Sequence, residues 1–491
     1  MSSRPSRYEL GAAALAGVSA IAGSYAVAGY TRSFVVAPVD ALVVNATPGA
    51  LVAFMIDNVG EPAHLLHIAL SFAIVTGLFA GFALAGGRVA ERFDSRLAGG
   101  VPAGVLAYAT TAVITAEPVL AVGAALPLAV GTGLGWPRQV RPEFDASRRR
   151  TLGGVAGALA FVGAAVTAGS VLSRQEPLGS APGADGVDER LQQASDQELA
   201  TSGDLPGLVS EIGNFYNVDI AQFDPELPAE EWSLTLTGEL AEDDLTIEYD
   251  DLIDRPTENR FVTLRCVGED LNGKKLDTAV WTGTPIKPLL EEVDPDGECG
   301  CVVLRGDDGY FVEYPTEVLE TGFLAWGMNG KELPSAHGHP VRILIPGHWG
   351  ETNVKWLTEM EVLDEEMDGY WEQRGWEGTG TVTTIAKLWD EGVTTLDDGR
   401  IELAGHAYAG IRGVDRVEVS TDGGSTWTDA TLSEPLPGDD VWRMWRHRFE
   451  PSGSHDVVVR AVDGTSKLQP EERSDSYPRG ATGWVRRTVT A

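Results

Sequence analysis

Among the groups in this 491-residue chain that could do chemistry, the thiols stand out because there are only three. Cys299 and Cys301 form a Cys-x-Cys pair, which is half of a tetrahedral metal site. No second pair completes it, so both are expected to be ordinary thiols near a strand start, with no disulfide framework. Cys266 ends the apolar run Arg260–Cys266 and enters a loop at Val267 and Gly268, which makes it a strand-end thiol when taken alone. That loop carries Glu269 and Asp270, acidic groups that would repel an anion brought beside the thiol. His64 and His67 are three apart and share a helix face, so they could serve a haem or a quinone. A bis-histidine haem draws its ligands from two helices, however, and no other apolar block holds a histidine. Polar residues at a membrane interface are the plainer reading.

The elements that must position these groups fall into two unlike halves. Residues 1–175 carry a net charge of +3, and residues 176–491 carry −38. Uncharged apolar blocks run over Leu10–Tyr30, Pro62–Gly87 and Thr151–Ser173; Leu97–Gly135 carries only Glu117, beside Pro118, and is long enough for two spans. A span needs about 20 apolar residues, so five membrane helices are expected over residues 1–174. Ser33–Ile56, with Asp40 and two prolines, is expected to be an extracytoplasmic loop or interfacial segment. Ten arginines (4, 7, 88, 92, 96, 138, 141, 148, 149 and 150) fall on one side of the five spans, and the opposite loops hold only Arg32. The positive-inside rule then makes the N-terminus cytoplasmic and everything after the fifth helix extracytoplasmic. Ser147–Leu152, with three consecutive arginines, reads either as a twin-arginine export signal or as a plain cytoplasmic anchor cluster.

Residues 175–205, rich in Gly, Ser, Ala, Asp and Gln, read as a flexible linker. Strands dominate beyond it, at Trp232–Gly238, Arg260–Cys266, Cys301–Arg305 and Val341–Pro346, with short helices near 284–292 and 315–322. This describes an α+β domain over 206–377. From 378 to 491 about seven short strands recur, one pair around the Asp422-Gly-Gly424 turn, as in an immunoglobulin-like sandwich. The acidic excess of the back half fits a halophile-type surface that stays hydrated in concentrated salt. It disfavours nucleic acid, whose phosphates need clustered Lys and Arg.

Several separate motifs occur in one order: Cys266-Val-Gly268, Trp281–Leu290, Met328–Pro334, His337–Arg342, Pro346-Gly347 and Val354-Lys-Trp356. Together they resemble the sulfite oxidase family of molybdopterin enzymes over residues 205–491, and the C-terminal sandwich resembles that family's dimerisation domain. The resemblance implies a molybdenum–molybdopterin cofactor, with Cys266 as the protein's thiolate ligand to the metal. It implies that His337, Arg342 and Lys355 bind the cofactor, the arginine as a fork of donors and the lysine as a point charge on the phosphate. Asn353 and Val354 would contribute backbone groups. Asn214–Asn217 is similar to the family's entry segment, which assigns Tyr216 and Asn217 to the pterin, and Asp307 would hydrogen-bond the pterin ring. Trp376 stands where the family has its active-site tyrosine. The loop after Cys266 departs from true sulfite oxidases, having no arginine, and the entry segment has Val218 and Ile220 where an arginine and a histidine are usual.

The expected molecule is therefore multidomain: an all-α membrane bundle of five helices, then an α+β sulfite-oxidase-type molybdopterin domain, then an immunoglobulin-like β-sandwich. It would be a membrane-anchored extracytoplasmic oxidoreductase catalysing oxygen-atom transfer. Its small-molecule substrate would be a sulfite-type sulfur compound or a sulfoxide or N-oxide. Its partners would be the lipid bilayer and a separate electron-transfer protein, with a homodimer allowed by the resemblance. The alternative is a non-catalytic membrane receptor or scaffold that retains the fold. A transporter role is disfavoured by spans with few ionisable groups.

Overall fold

A computed structural model describes residues 5–59, 63–136, 146–172, 178–238, 244–293, 300–378 and 380–490. The chain divides into two compact units, residues 1–48 with 59–176 and 221–226, and residues 49–58 with 177–220 and 227–491.

In the first unit, α1 (Arg7–Ala28) starts at a capping box. Ser6 Oγ accepts from the Glu9 amide, and Glu9 returns a carboxylate to the Ser6 amide. It is followed by α2 (Ala37–Ala46); α3 (Gly49–Asn58) belongs to the second unit. The first unit continues with α4 (Ala63–Arg92), α5 (Arg96–Thr115), α6 (Val122–Gly135) and α7 (Ala146–Leu172). Small residues let these helices pack backbone to backbone. A side chain on Gly23 would fall 2.2 Å from the Gly123 carbonyl oxygen, and one on Gly86 would fall 2.5 Å from that of Gly99.

Among the described residues, three helices are long and apolar enough to cross a membrane: Arg7–Ala28, Leu65–Arg92 and Arg96–Thr115. The other two expected spans are apolar but shorter as described, at Val122–Gly135 and Ala156–Ser170, so the count of five is not reached by length. The segment Ser33–Ile56, expected as a loop or an interfacial segment, holds α2 and most of α3, so it is helical rather than a loop. Its Asp40 is buried, accepts from Ser71 Oγ at 2.8 Å and meets His67 Nδ1 at 3.0 Å. Burial of that carboxyl is compensated by partners on α4, which is why an acidic residue sits inside an apolar helix pair. The Ser147–Leu152 segment lies in the first turns of α7.

The second unit does not begin with a free tether. From residue 178 the expected linker is packed: Ser180 bridges to Lys331, Trp326 Nε1 donates to the Pro182 carbonyl, and α8 (Val187–Gln197) buries Val187 and Ala194 in the main core. The spacing of Val187, Leu191 and Ala194 places them on one helix face, the apolar stripe that holds the segment down.

Two sheets follow. The strands are β1 (Ser233–Gly238), β2 (Leu245–Glu248), β3 (Glu258–Arg265), β4 (Leu276–Pro285), β5 (Cys301–Gly306), β6 (Phe311–Pro315), β7 (Phe323–Met328), β8 (Lys331–Glu332), β9 (Arg342–Leu344) and β10 (Leu357–Leu363). One sheet runs β2-β1-β10-β5-β6, antiparallel except for the parallel β1–β10 pair. The other runs β3-β4-β7-β8, with β9 also on β7. Cys301, expected as a free thiol, is disulfide-bonded, and Cys299 lies outside the described residues. After residue 384 come two antiparallel sheets, one centred on Ile401–Tyr408 and Arg443–Phe449, the other on Val414–Ser420 and Ser454–Asp463. Both bury side chains in one core with Trp442, Trp445, Val417 and Val459.

Candidate active site

β3 and β4 form a hairpin whose connection, residues 266–275, carries the lone free cysteine among the described residues. The Cys266 amide donates to the Lys275 carbonyl at 3.0 Å, so the ladder extends one step past Arg265 and fixes the thiol at the mouth of the loop. The thiol lines a cavity of about 240 Å³ together with Tyr216, Val218, Asp219, Lys275, Tyr310 and Glu351. Asn353, Val354, Arg342, Lys355, Trp371 and Trp376 complete much of the wall. Burial pushes the thiol up to about 11, and Lys275 pulls the other way without overcoming it. A nucleophilic cysteine needs the opposite shift. The thiol is therefore protonated at neutral pH, and soft sulfur lining a cavity is available to a soft metal.

The cationic end of the cavity is built from β9 and the turn before β10. Arg342 is buried with its Nη1 on the His337 carbonyl (3.1 Å) and its Nη2 on the Asn353 carbonyl (2.9 Å). Its Nε is enclosed and has no acceptor, and no carboxylate pairs with it among the described residues. Burial lowers the guanidinium to about 10, so it remains charged at neutral pH. A buried cation held only by neutral carbonyls, with a donor unspent, is suited to an incoming anion. Lys355 Nζ lies on Asp219 (2.9 Å), on the Ala336 carbonyl (2.7 Å) and on Asn217 Oδ1. Gly338, at φ 104°, passes between these two cations; a side chain there would fall 3.0 Å from Lys355 Cβ and 3.1 Å from Arg342 Cβ. His337 packs edge-on against Phe215 and is depressed to about 4 by burial and by its two cationic neighbours, so it is neutral.

The structure thus brings Cys266, Trp376, Tyr216, Arg342, Asn353, Val354 and Lys355 to one cavity, with Asn217 on Lys355 and His337 behind Arg342. Trp376 and the Cys266 sulfur flank Gly268, at 3.6 and 4.0 Å from where its side chain would start. The Asn353 side chain is spent internally, accepting from Ile345 N and donating to the Trp349 carbonyl, so it shapes the turn. Asp307 does not line the cavity. Its neighbour Asp308 does, because the Asp307 amide is tied to the Trp356 carbonyl and turns the loop by one residue.

The acidity expected after Cys266 is also absent from the cavity. Glu269 is buried and points the other way, onto Arg265 Nε (3.0 Å) and Lys387 Nζ (2.6 and 2.7 Å). Two cations meet one carboxylate there, and Arg265 also stacks on Trp349. Asp270 is exposed and caps the hairpin turn through its carbonyl. Sequence reasoning missed Lys275, Tyr310, Trp371 and Glu351, which come from four separate stretches and carry no local motif.

These residues fit a molybdopterin: a thiol that awaits a soft metal at one end, an anion-seeking arginine and a lysine at the other, and tyrosine and tryptophan faces between them. The comparisons agree. The family model for an oxidoreductase molybdopterin binding domain matches residues 220–371, and that for a Mo-co oxidoreductase dimerisation domain matches residues 380–478. The chain is similar to mitochondrial sulfite oxidase of Mus musculus, 29% identical over 303 residues, 50% of this chain and 55% of the relative. It is similar to sulfite oxidase of Gallus gallus, 33% identical over 190 residues, 33% of this chain and 41% of the relative. It is also similar to an NADPH nitrate reductase of Beauveria bassiana, 27% identical over 331 residues, 50% and 37% of the two chains. The sulfane dehydrogenase SoxCD of Paracoccus pantotrophus aligns at TM-score 0.49 and 20% identity over 58% of this chain and 82% of that one. The chain spans about half the length of the first curated relatives it matches.

Proposed function

Residues 220–478 belong to the sulfite oxidase family of molybdopterin-dependent oxidoreductases, and from that premise we propose a membrane-anchored, extracytoplasmic enzyme that transfers an oxygen atom at a molybdenum held by Cys266. The observation that carries the reading is the single cavity with a metal-seeking thiol at one end and the anion-seeking Arg342 at the other. When bound, the cofactor supplies the two-electron oxygen-atom exchange. The chain's own residues do the rest. Cys266 would hold the metal as a thiolate. Arg342 and Lys355 would hold the phosphate, the guanidinium as a buried charge and the ammonium from beside Asp219. Tyr216 and Trp376 bound the pocket and keep bulk water from it. Neutral His337 holds the Arg342 turn without adding charge. Asn217 orients Lys355, while Asn353 and Val354 supply the backbone of the phosphate turn. Asp307 keeps only a loop-shaping role in this reading.

The helices of the first unit would anchor the enzyme as five spans with the arginine-rich loops inside, which puts the catalytic unit outside the cell membrane. The two C-terminal sheets would act as an immunoglobulin-like dimerisation domain, and a separate protein would carry the electrons. Elemental and pterin analysis of the full chain, purified in detergent and high salt, tests the reading. About one molybdenum per chain is expected, and Cys266→Ala should lose at least about a thousandfold in turnover of sulfite, a sulfoxide or an N-oxide, the order expected when a metal's protein ligand is removed. A wild-type protein with neither metal nor pterin after expression in a molybdopterin-making host would favour the non-catalytic scaffold instead.

A further inference from the structure

We propose that Glu351 is the substrate-facing hydrogen-bond donor of this cavity and selects an uncharged molecule bearing an oxide oxygen over an anion; the inference rests on reading the cavity as the molybdopterin reaction site. Glu351 sits in the single turn Gly350–Thr352, between Trp349 and Asn353. That turn is pinned on both sides. Thr352 Oγ1 donates to the Trp349 carbonyl at 2.6 Å, Asn353 Nδ2 donates to the same carbonyl at 3.1 Å, and Gly350 lies under the Tyr216 hydroxyl. The direction of the Glu351 side chain is therefore set by the backbone, and it lines the same cavity as Cys266.

Every neighbouring polar side chain in the turn is spent, and Glu351 is not. Its Oε2 is enclosed and has no hydrogen-bond partner, and no cation pairs with it among the described residues. The charge that acts on it most is another carboxylate, Glu372, and Glu351 is felt in turn by Tyr310 just before β6, by Tyr314 within β6 and by the Cys266 thiol. An enclosed carboxylate without cation or donor is costly, whereas the neutral acid is not. Burial and Glu372 push it up to about 8. A neutral acid brings one O–H that can be given to an acceptor, and Glu351 lines the cavity that would admit one. The open side of the cavity is where that acceptor must arrive.

The chemistry of the walls narrows what it is. Trp371, Trp376, Tyr310, Ile220 and Leu264 are apolar or aromatic, suited to organic substituents. Arg342 and Lys355 are at the phosphate end, leaving Lys275 as the remaining basic side chain of the lining. An amine N-oxide or a sulfoxide carries partial negative charge on oxygen and no net charge, so it accepts strongly from a carboxylic acid without needing a cation. A dianion such as sulfite would face a carboxyl that can ionise and only one ammonium.

The test uses the full chain, wild type, Glu351→Gln and Glu351→Leu, each with its metal content measured. Calorimetric titration with trimethylamine N-oxide, dimethyl sulfoxide and sulfite is paired with infrared difference spectra at neutral pH. Wild type should show a protonated-carboxyl band that shifts when the oxide is added and is missing in Glu351→Gln. Oxide affinity should fall at least about tenfold in Glu351→Leu and by about threefold or less in Glu351→Gln, which keeps an N–H donor. Sulfite affinity should hold or rise in both. Molybdenum-loaded Glu351→Leu that binds oxides as wild type does, or a wild type without the carboxyl band, overturns the assignment of Glu351 and leaves the molybdenum reading standing. A wild type without molybdenum overturns both.

Discussion

At the scale of single residues, Glu269 governs the electrostatics of the ligand loop. Read along the chain it is an acid three places after the Cys266 thiol. In the fold it is the shared anion of Arg265 and Lys387, fully enclosed, with the Lys275 amide as a further donor. Lys387 comes from the C-terminal part of the chain, so its charge cannot be seen from the loop's own sequence. Removing it leaves a buried carboxylate against one cation, and breaking a buried pair in this way costs about 3–5 kcal/mol. Lys387→Met should lower the denaturant midpoint accordingly, while Lys274→Met, whose partner Glu391 is exposed, should change it by less than about 1 kcal/mol. What was legible at this scale was whatever sits in a local motif: Cys266 at a strand end, Arg342 after the His337 turn, Lys355 before Trp356. Lys275, Tyr310 and Glu351 were not legible, because only the folded chain brings their separate loops to one cavity. Asp307 and Asp308 show the finer limit, since one backbone hydrogen bond decides which of two adjacent acids faces inward.

At the scale of elements, β3 is held from two sides. Its hairpin partner β4 fixes the loop of Cys266. On its other edge Thr263 N donates to the Asp440 carbonyl, and Tyr408, from the Ile401–Tyr408 strand, donates to Asp440 Oδ1 at 2.6 Å and to the Thr263 carbonyl at 3.1 Å. Burial raises the Asp440 carboxyl to about 7, and its Oδ2 has no partner. A carboxyl whose folded value lies above its unfolded one contributes stability that is complete below the unfolded value and is lost as pH rises through the folded one. Between about pH 4 and about pH 8 wild type should therefore lose up to about 4 kcal/mol relative to Asp440→Asn, because each tenfold weakening of the acid on folding is worth about 1.4 kcal/mol. Urea midpoints of both proteins across that range check it, and parallel curves would show that Asp440 ionises as freely in the fold as out of it. Of the strands around this contact, β3 was plain in the sequence as an apolar run that ends at a loop, while Ile401–Tyr408 fell only under the expected set of about seven short strands. Helix α8 was obscured: Asp, Glu and Gln dominate Val187–Gln197, and the Val187, Leu191, Ala194 stripe is thin enough to pass for a tether.

At the scale of the whole molecule, the two units solve opposite solvation problems. The helical unit packs through alanine and glycine, with leucines such as Leu65, Leu66 and Leu70 exposed on its outer face. The rest of the chain carries almost all of the negative charge, −38 over residues 176–491. Many of its exposed acids are already paired with arginine, as at Arg400–Asp398, Arg416–Asp415 and Arg486–Glu471, yet the acids outnumber the bases more than twofold, and the surplus repels itself. Screening shortens that repulsion from about 10 Å in 0.1 M salt to about 3 Å in 1 M. The urea midpoint of the full chain should therefore climb steeply as KCl is raised over that interval and flatten beyond it. Buried pairs such as Glu269–Lys387 are shielded from the ions and cannot produce such a rise. If the midpoint instead fell with salt, the surface pairs would outweigh the surplus repulsion.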